Sequence, residues 1–522
     1  MPPARPGPQP RAPRRPSLRR LVLAATLGVL LATIGALLLR ADPDPPVRPS
    51  GAALRLVPDD ALATVQVVAD QTRPQVDDAL RRLDDLPGGT DLLGRLRDEL
   101  VPAGCPAITP RTRDVTVAIL RTRDGGPAAP LVLIGRGGSR TDAGPVRRCG
   151  GRTAQRLGRF VAVGPAALVR QARRLLGVPG ARGSLSVLPL HRRLVSRLPE
   201  DRLVTAWMTP DGVRRVLAPR GDGAAAVATA LDRPDLGGVA IGVVPGEDGA
   251  RVVARLDTTS GAGRDFPADT AVTAPASAVG TILTTDPLAT ASRVLDVLAA
   301  SGGGTPEDLA ALLSAVVDRI DVRIGGVVRR DVIGAQRTPS EVVVTPGPTS
   351  EGTLGTGAAA RGLAVTVVVP VTDGVRAARA LARLRPRLAR SLDAGAFTVR
   401  RVAGHRSWWL RLPGGGGAGY LVDGDRVVVS TSRAAAEATL GRGPRLTDRV
   451  DWDRGDGARP NRTMSIGFLD FSQFVRAVAP PGSSARPADR ALLDGLRRVS
   501  SVRVRSRTEG REATFDVDLR IP

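Results

Sequence analysis

The chain has 522 residues, 42% hydrophobic and 2% aromatic, with a formal net charge of +24 in which every basic residue is arginine. Two cysteines and two distant histidines cannot build a zinc site of ordinary spacing. The absence of lysine rules out phosphate-binding loops ending Gly-Lys-Ser/Thr and Ser-x-x-Lys acylation motifs. The length exceeds what one core supports, so at least two domains are expected, packed mainly by aliphatic side chains.

Residues 1–20 are rich in Pro and Arg and carry no acid, which predicts a disordered basic cytoplasmic tail held near anionic lipid. Leu21–Leu39 has no charge and no Pro, and as a helix it spans roughly 28 Å, the thickness of a bilayer core. Arg5, Arg11, Arg14, Arg15, Arg19 and Arg20 precede it, so the positive-inside rule puts the N-terminus in the cytoplasm and the rest outside. A cleaved signal peptide has a shorter apolar core and a small-x-small exit, which LLLRADPDPP lacks. The segment is therefore read as a single-pass anchor, with membrane lipid as its partner. Ala24, Gly28, Ala32 and Ala36 recur every fourth residue, a stripe along which two such helices can pack as a homodimer. Ala and Gly are also simply common in membrane helices.

Residues 40–51 form a Pro-rich linker, beyond which one unit is written twice. LVPDDALATVQVVAD, from Leu56, matches VTAPASAVGTILTTD, from Val272, with Pro58 against Pro275 and Ala61 against Ala278. A helix follows each: the first starts at Thr72 with Pro74 in its first turn, the second is capped by Asp286. Second helices are expected from Thr90 and Thr305, then strands Asp114–Leu120 and Asp321–Val328, with Leu131–Ile134 as a hairpin partner in the first copy. The strand and Ala-rich helix from Gly158 match those from Gly424. RLVTAWMTPDGVRRVLA matches RTMSIGFLDFSQFVRAV, with Trp207 against Phe468 and Arg215 against Arg476. Two hairpins turning at Asp248-Gly249 and Glu509-Gly510 close the copies. The expected fold is α+β: an N-terminal transmembrane helix, then two tandem related domains, 52–260 and 272–522, joined by residues 261–271, with mainly antiparallel sheets and packed helices. The Pro/Gly/Thr-rich stretch 336–362 is expected to be a mobile loop.

Cys105 and Cys149 both follow the membrane segment, and in an oxidising compartment one disulfide is the simplest arrangement. Two free buried thiols are the alternative.

Pro58-Asp59-Asp60-Ala61 and Gly424-Asp425-Arg426-Val427-Val428-Val429 carry a resemblance. The chain resembles a family of uncharacterised bacterial envelope proteins with a single N-terminal anchor, a Pro-x-x-Ala strand opening and a Gly-Asp/Arg-Val-Val-Val strand feeding an Ala-rich helix. The resemblance implies a membrane-anchored location and a duplicated α+β ectodomain; it brings no activity.

Chemistry is sparse. Nucleophile elbows of the Gly-x-Ser-x-Gly type are missing. His191, in PLHRRLV, is expected on a helix, and His405, in VAGHRSWWLRL, on a strand near a turn. Either imidazole has the titration range of a general base, but without a Ser or Cys in a recognisable setting both read as structural or surface residues. The pairs Asp77-Asp78 and Asp84-Asp85 read as a solvated helix face, Asp77 and Asp78 lying four residues before Arg81 and Arg82. Asp451, Asp453 and Asp456 are the best metal candidates, although their spacing departs from the EF-hand loop. Arg454-Gly455-Asp456 inside that stretch reads as coincidence. Trp408 and Trp409 are adjacent, so on a strand they face opposite sides; one exposed beside His405 and Arg406 would be a partner contact.

No catalytic residue and no cofactor is assigned. The expected role is non-catalytic binding or scaffolding in the cell envelope, a periplasmic or extracellular basic ectodomain engaging anionic lipid headgroups, envelope polymers or an envelope protein. An envelope hydrolase with a site assembled from distant residues, and an accessory subunit of an envelope complex, are the alternatives. Nucleic acid does not fit the outer side of a membrane, and the aromatic platforms that stack bases are scarce.

Overall fold

A computed structural model describes residues 48–74, 76–77, 101, 104–106, 108–109, 111–121, 128–136, 142–217, 235–246, 249–259, 266–267, 270–285, 339–347, 363–391, 395–411, 417–449, 452, 463–478 and 500–520. The tail 1–20, Leu21–Leu39, the helices expected from Thr90, Asp286 and Thr305, the strand Asp321–Val328, and Asp451, Asp453 and Asp456 lie outside the described residues. Among the described residues no helix is long and apolar enough to cross a membrane.

The fold is mixed α+β, with one antiparallel sheet of 19 strands among the described residues. The first nine are β1 (Ala63–Val68), β2 (Thr112–Leu120), β3 (Ala129–Arg136), β4 (Ala143–Cys149), β5 (Arg152–Leu157), β6 (Phe160–Gly164), β7 (Val204–Met208), β8 (Leu236–Gly246) and β9 (Gly249–Thr258). The others are β10 (Gly280–Thr284), β11 (Ser340–Pro346), β12 (Leu363–Pro370), β13 (Thr398–Val402), β14 (His405–Arg411), β15 (Gly417–Asp423), β16 (Arg426–Ser430), β17 (Ser465–Asp470), β18 (Ser501–Glu509) and β19 (Glu512–Arg520). Among the described residues six helices accompany them: α1 (Ala166–Leu175), α2 (Pro189–Ser196), α3 (Pro210–Gly212), α4 (Gly374–Ser391), α5 (Arg433–Leu440) and α6 (Phe471–Val478).

The strands lie in the order β4-β5-β6-β3-β2-β1-β7-β8-β9-β19-β18-β17-β10-β11-β12-β16-β15-β14-β13. The pairing plan on one side of the β9–β19 junction is followed again on the other. β1 pairs with β2 and β7, and β10 with β11 and β17. β3 pairs with β6, and β12 with β16. The second side adds one strand, β13, beyond β14.

The correspondence extends to single hydrogen bonds. Ala61 N–H donates to Pro58 O and Leu62 N–H to Ile119 O; Ala278 N–H donates to Pro275 O and Val279 N–H to Val344 O. Pro58 bridges Ser184, and Pro275 bridges Arg445. Trp207 sits opposite Thr64 on its ladder and Phe468 opposite Thr281 on the matching one. Thr209, just after β7, and Asp470, the last residue of β17, each cap the next helix, accepting from Gly212 N–H and Gln473 N–H, both at 2.9 Å.

Sheet stability comes from apolar packing on both faces. Val115, Val117 and Ile119 of β2 join Val132, Ile134 and Val163 in one cluster, while Ala118 and Leu120 join Leu131, Leu133 and Ala162 on the opposite face. A strand buried on both sides reads as a continuous apolar run, as Asp114–Leu120 does in sequence. α1 closes the second cluster with Leu168, Val169 and Ala172 and turns its arginines outward.

The two sides share a continuous sheet through β9 and β19. Open sheets rarely exceed about ten strands without curling or splitting; here two sets of nine and ten meet at a single ladder. One face of that ladder is charged. Arg251 pairs with Asp516 at 3.0 Å and Arg255 with Glu512 at 3.3 Å, while Arg193 of α2 and Arg197 just beyond its end reach Asp257 and Glu512. Several of these arginines are half-exposed, so the pairs set register more than they add stability. The other face carries Leu256, Ala254 and Val252 opposite Ala513, Phe515 and Val517.

The loop expected over 336–362 is corrected in part. Ser340–Pro346 is β11, hydrogen-bonded to β10 on one side and β12 on the other. Glu341 secures it: its buried carboxylate accepts from Thr273 N–H, Ala274 N–H and Thr281 Oγ1. Flanking Pro, Gly and Thr concealed a seven-residue strand built on the β-branched run Val342–Thr345.

Candidate functional site

The hairpin β13–β14 leaves most of its outer strand in the open. Ala403 and Gly404 connect the strands with φ of 49° and 85°, the two-residue turn with both positions left-handed that suits strand twist. Thr398, Val399, Arg400 and Arg401 are all exposed, and only Val402 of β13 is buried. Arg401 lies directly opposite Arg406, and Val399 opposite Trp408. Like charges facing one another across a ladder are destabilising, so this pair is not explained by hairpin stability.

Arg385 comes in from α4. Its guanidinium lies 4.5 Å from the Trp408 ring centroid, and that of Arg406 lies 5.5 Å away. Trp408 stacks on Tyr420 of β15 at 5.3 Å. Burial pushes the Tyr420 hydroxyl up to about 12, against the pull of the Arg385 charge. Among the described residues no carboxylate pairs with Arg385, Arg400, Arg401 or Arg406, and Arg385 Nε is buried without a hydrogen-bond partner. Val399, Arg400, Arg401 and Arg406 line an open depression of about 470 Å³.

Trp408 and Trp409 face opposite sides as expected, and both pack. Trp408 belongs with Val369, Leu381 and Tyr420 under α4; Trp409 belongs with Val428 and Ala436 beside α5 and donates from Nε1 to Ser407 Oγ at 3.0 Å. Neither is a bare indole. Exposure instead falls on the arginines around Trp408, of which sequence had singled out Arg406 alone. Arg385 escaped notice because it comes from a helix well upstream. The Val-Arg-Arg-Val run leading into Ala-Gly went unused, and it is the signal in the sequence that marks the rest.

His405 begins β14 beside the turn, with Nδ1 3.5 Å from Asp423 Oδ1. No Ser or Cys side chain is hydrogen-bonded to it among the described residues. His191 sits on α2, as expected, and is only 4% exposed. Its ring meets Trp207 edge-on at 5.6 Å. Burial pushes its pKa down to about 4, so it is a neutral core imidazole at neutral pH. Trp452 meets Phe468 in the same edge-on way at 5.5 Å. His191 and Trp452 therefore fill corresponding aromatic slots, although the buried His191 Nδ1 has no hydrogen-bond partner among the described residues.

Among the described residues no group of three or more His, Cys, Asp or Glu is placed to hold a metal ion. Cys105 and Cys149 form a disulfide with a Cα–Cα distance of 4.9 Å. It ties the end of β4 to the segment before β2, and such bonds persist in oxidising compartments, which suits an extracytoplasmic domain.

No family model matches the chain. No curated protein matches it either. Among solved structures, crystal form IV of TP0453 is matched at 11% identity over 40% of this chain and 81% of that chain, with a TM-score of 0.22. A likeness at that level supports no conclusion about fold or function.

Proposed function

We propose that this chain is a non-catalytic, membrane-anchored binding protein of the cell envelope, held by Leu21–Leu39, with an extracytoplasmic ectodomain made by tandem duplication of one α+β unit. The duplication is supported by the shared pairing plan, the paired Pro58 and Pro275 bridges and the matching helix caps at Thr209 and Asp470. The resemblance to anchored envelope proteins of unknown function belongs to the same proposal.

Binding is assigned to the β13–β14 hairpin, and the partner is anionic. One observation carries this: Arg385 and Arg406 over the Trp408 face, with Arg401 directly opposite Arg406 and no acidic partner among the described residues. A guanidinium over an indole keeps its donors free for an incoming anion. Full-length protein in uncharged-lipid nanodiscs, titrated with long-chain polyphosphate, should bind at low salt and weaken as salt rises through the range where the Debye length falls to about 10 Å. Arg401→Gln with Arg406→Gln should weaken binding at least tenfold. Unchanged affinity in that double variant would refute the assignment.

A further inference from the structure

We infer that β13 is a strand-addition site for an extended acidic polypeptide, which would join the sheet as a further strand beside Val399 and Arg401. This rests on the hairpin being the binding element and names the class of partner.

The two margins of the sheet differ. β4, at one end, contains Pro145, has a register shift between Ala143 and Val146, and is tied by the Cys149 disulfide. A missing N–H and a bulge are standard defences of an exposed strand. β13, at the other end, has no Pro, no Gly and no register shift against β14. Among the described residues it pairs with β14 alone.

The two-residue turn fixes which backbone groups are free. Val402 and His405 flank it, so Val402, Arg400 and Thr398 direct their N–H and C=O groups toward β14. Val399 and Arg401 direct theirs outward. The Val399 carbonyl accepts from the neighbouring Arg400 guanidinium at 3.3 Å, a local bond that an incoming strand would displace.

Charge selects the occupant. Two β13 margins meeting antiparallel would set Arg400 and Arg401 against the same residues of the other copy, which like-charge repulsion opposes. An acidic strand meets the opposite condition. Successive side chains of an added strand point to opposite faces, so two adjacent carboxylates reach Arg400 on one face and Arg401 with Arg406 on the other. An apolar residue opposite Val399, which is 45% exposed, completes the match. Main-chain bonds supply affinity in this mode and alternate side chains supply specificity.

The test uses full-length protein in uncharged-lipid nanodiscs and a fluorescein-labelled peptide, Thr-Ile-Val-Asp-Glu-Val-Thr-Gly, read by anisotropy and by hydrogen exchange. Binding should slow exchange at the Val399 and Arg401 amides at least tenfold and leave Arg400 and Val402 nearly unchanged. Val399→Pro removes an outward N–H that β14 does not use and should weaken the peptide at least tenfold, with polyphosphate binding retained. Val146→Pro, at the other margin, should change neither. Arg400→Glu with Arg401→Glu should abolish binding of the acidic peptide and admit its Arg-Arg counterpart. If Val399→Pro binds the peptide like the unaltered protein, or the outward amides gain no protection, strand addition is overturned. Polyphosphate binding that persists without peptide binding would overturn strand addition alone; loss of both would overturn the anionic reading too.

Discussion

The two sides of the sheet share a pairing plan and finish it differently. On the first, the outermost hairpin β4–β5 is closed by a disulfide and a proline-bearing, bulged margin. On the second, no disulfide is present among the described residues, and the corresponding margin continues into β13 with its arginines in the open. The interior beneath is nearly interchangeable: an aromatic pair at the same ladder position is His191 with Trp207 on one side and Trp452 with Phe468 on the other. Variation is thus concentrated at the margins, where a side chain has few neighbours to satisfy, while the central ladders tolerate only exchanges of similar shape.

The largest expected break in this comparison is removal of the disulfide. Cys105 and Cys149 are 44 residues apart, and Cys105→Ser with Cys149→Ser should destabilise the first side by about 4 kcal/mol on the chain-entropy estimate. Hydrogen exchange should accelerate in β5 and β6 while β15 and β16 stay protected; equal acceleration on both sides would show that they open as one unit. Next comes acid. The folded pKa of His191 lies near 4, below its ordinary 6.5, so between those values the unfolded chain takes up a proton that the folded one refuses. The stability contributed is present above about pH 6.5 and lost as pH falls toward 4, by about 3 kcal/mol in all. His191→Phe should flatten that dependence, read as denaturant midpoints against pH. An unaltered slope would mean that His191 is not the group responsible.

Smaller effects separate the two caps. Burial raises the Asp470 pKa, but bonds from Gln473 N–H, Arg449 and Ser472 outweigh it and hold the carboxyl below its usual range. Asp470→Ala loses the cap and leaves Arg449 without that partner, at a cost of about 2 kcal/mol. Thr209→Ala loses a cap alone, about 1 kcal/mol. Thermal unfolding should rank them in that order, and the reverse ranking would show the Arg449 contact to be idle.

Much of this architecture was legible in the chain. Pro58 matches Pro275 and Trp207 matches Phe468 by residue type; the prolines each form an isolated bridge, and the aromatics sit opposite Thr64 and Thr281 in their ladders. Hairpins such as β2–β3 followed from β-branched runs bounded by turn residues. Ser340–Pro346 was hidden because window composition averaged a short strand with its Pro- and Gly-rich neighbours. The hairpin site was half legible: the adjacent tryptophans and Arg406 stood out, yet whether an indole is bare or stacked depends on Tyr420 and Arg385, which only tertiary packing brings near. His191 shows the same limit, since nothing in PLHRRLV says that an imidazole flanked by arginines points into the core.

At the β9–β19 ladder, Val253 faces Asp516, and these are aligned counterparts in the two closing hairpins. Each step away from that pair is mirrored by a step in the other strand, so the seam has the self-complementary character of an isologous contact, built into a single polypeptide. Severing the chain between the sides would bare two long unpaired margins at once, each shaped to accept the other. Neither fragment would then be a well-behaved soluble protein by itself.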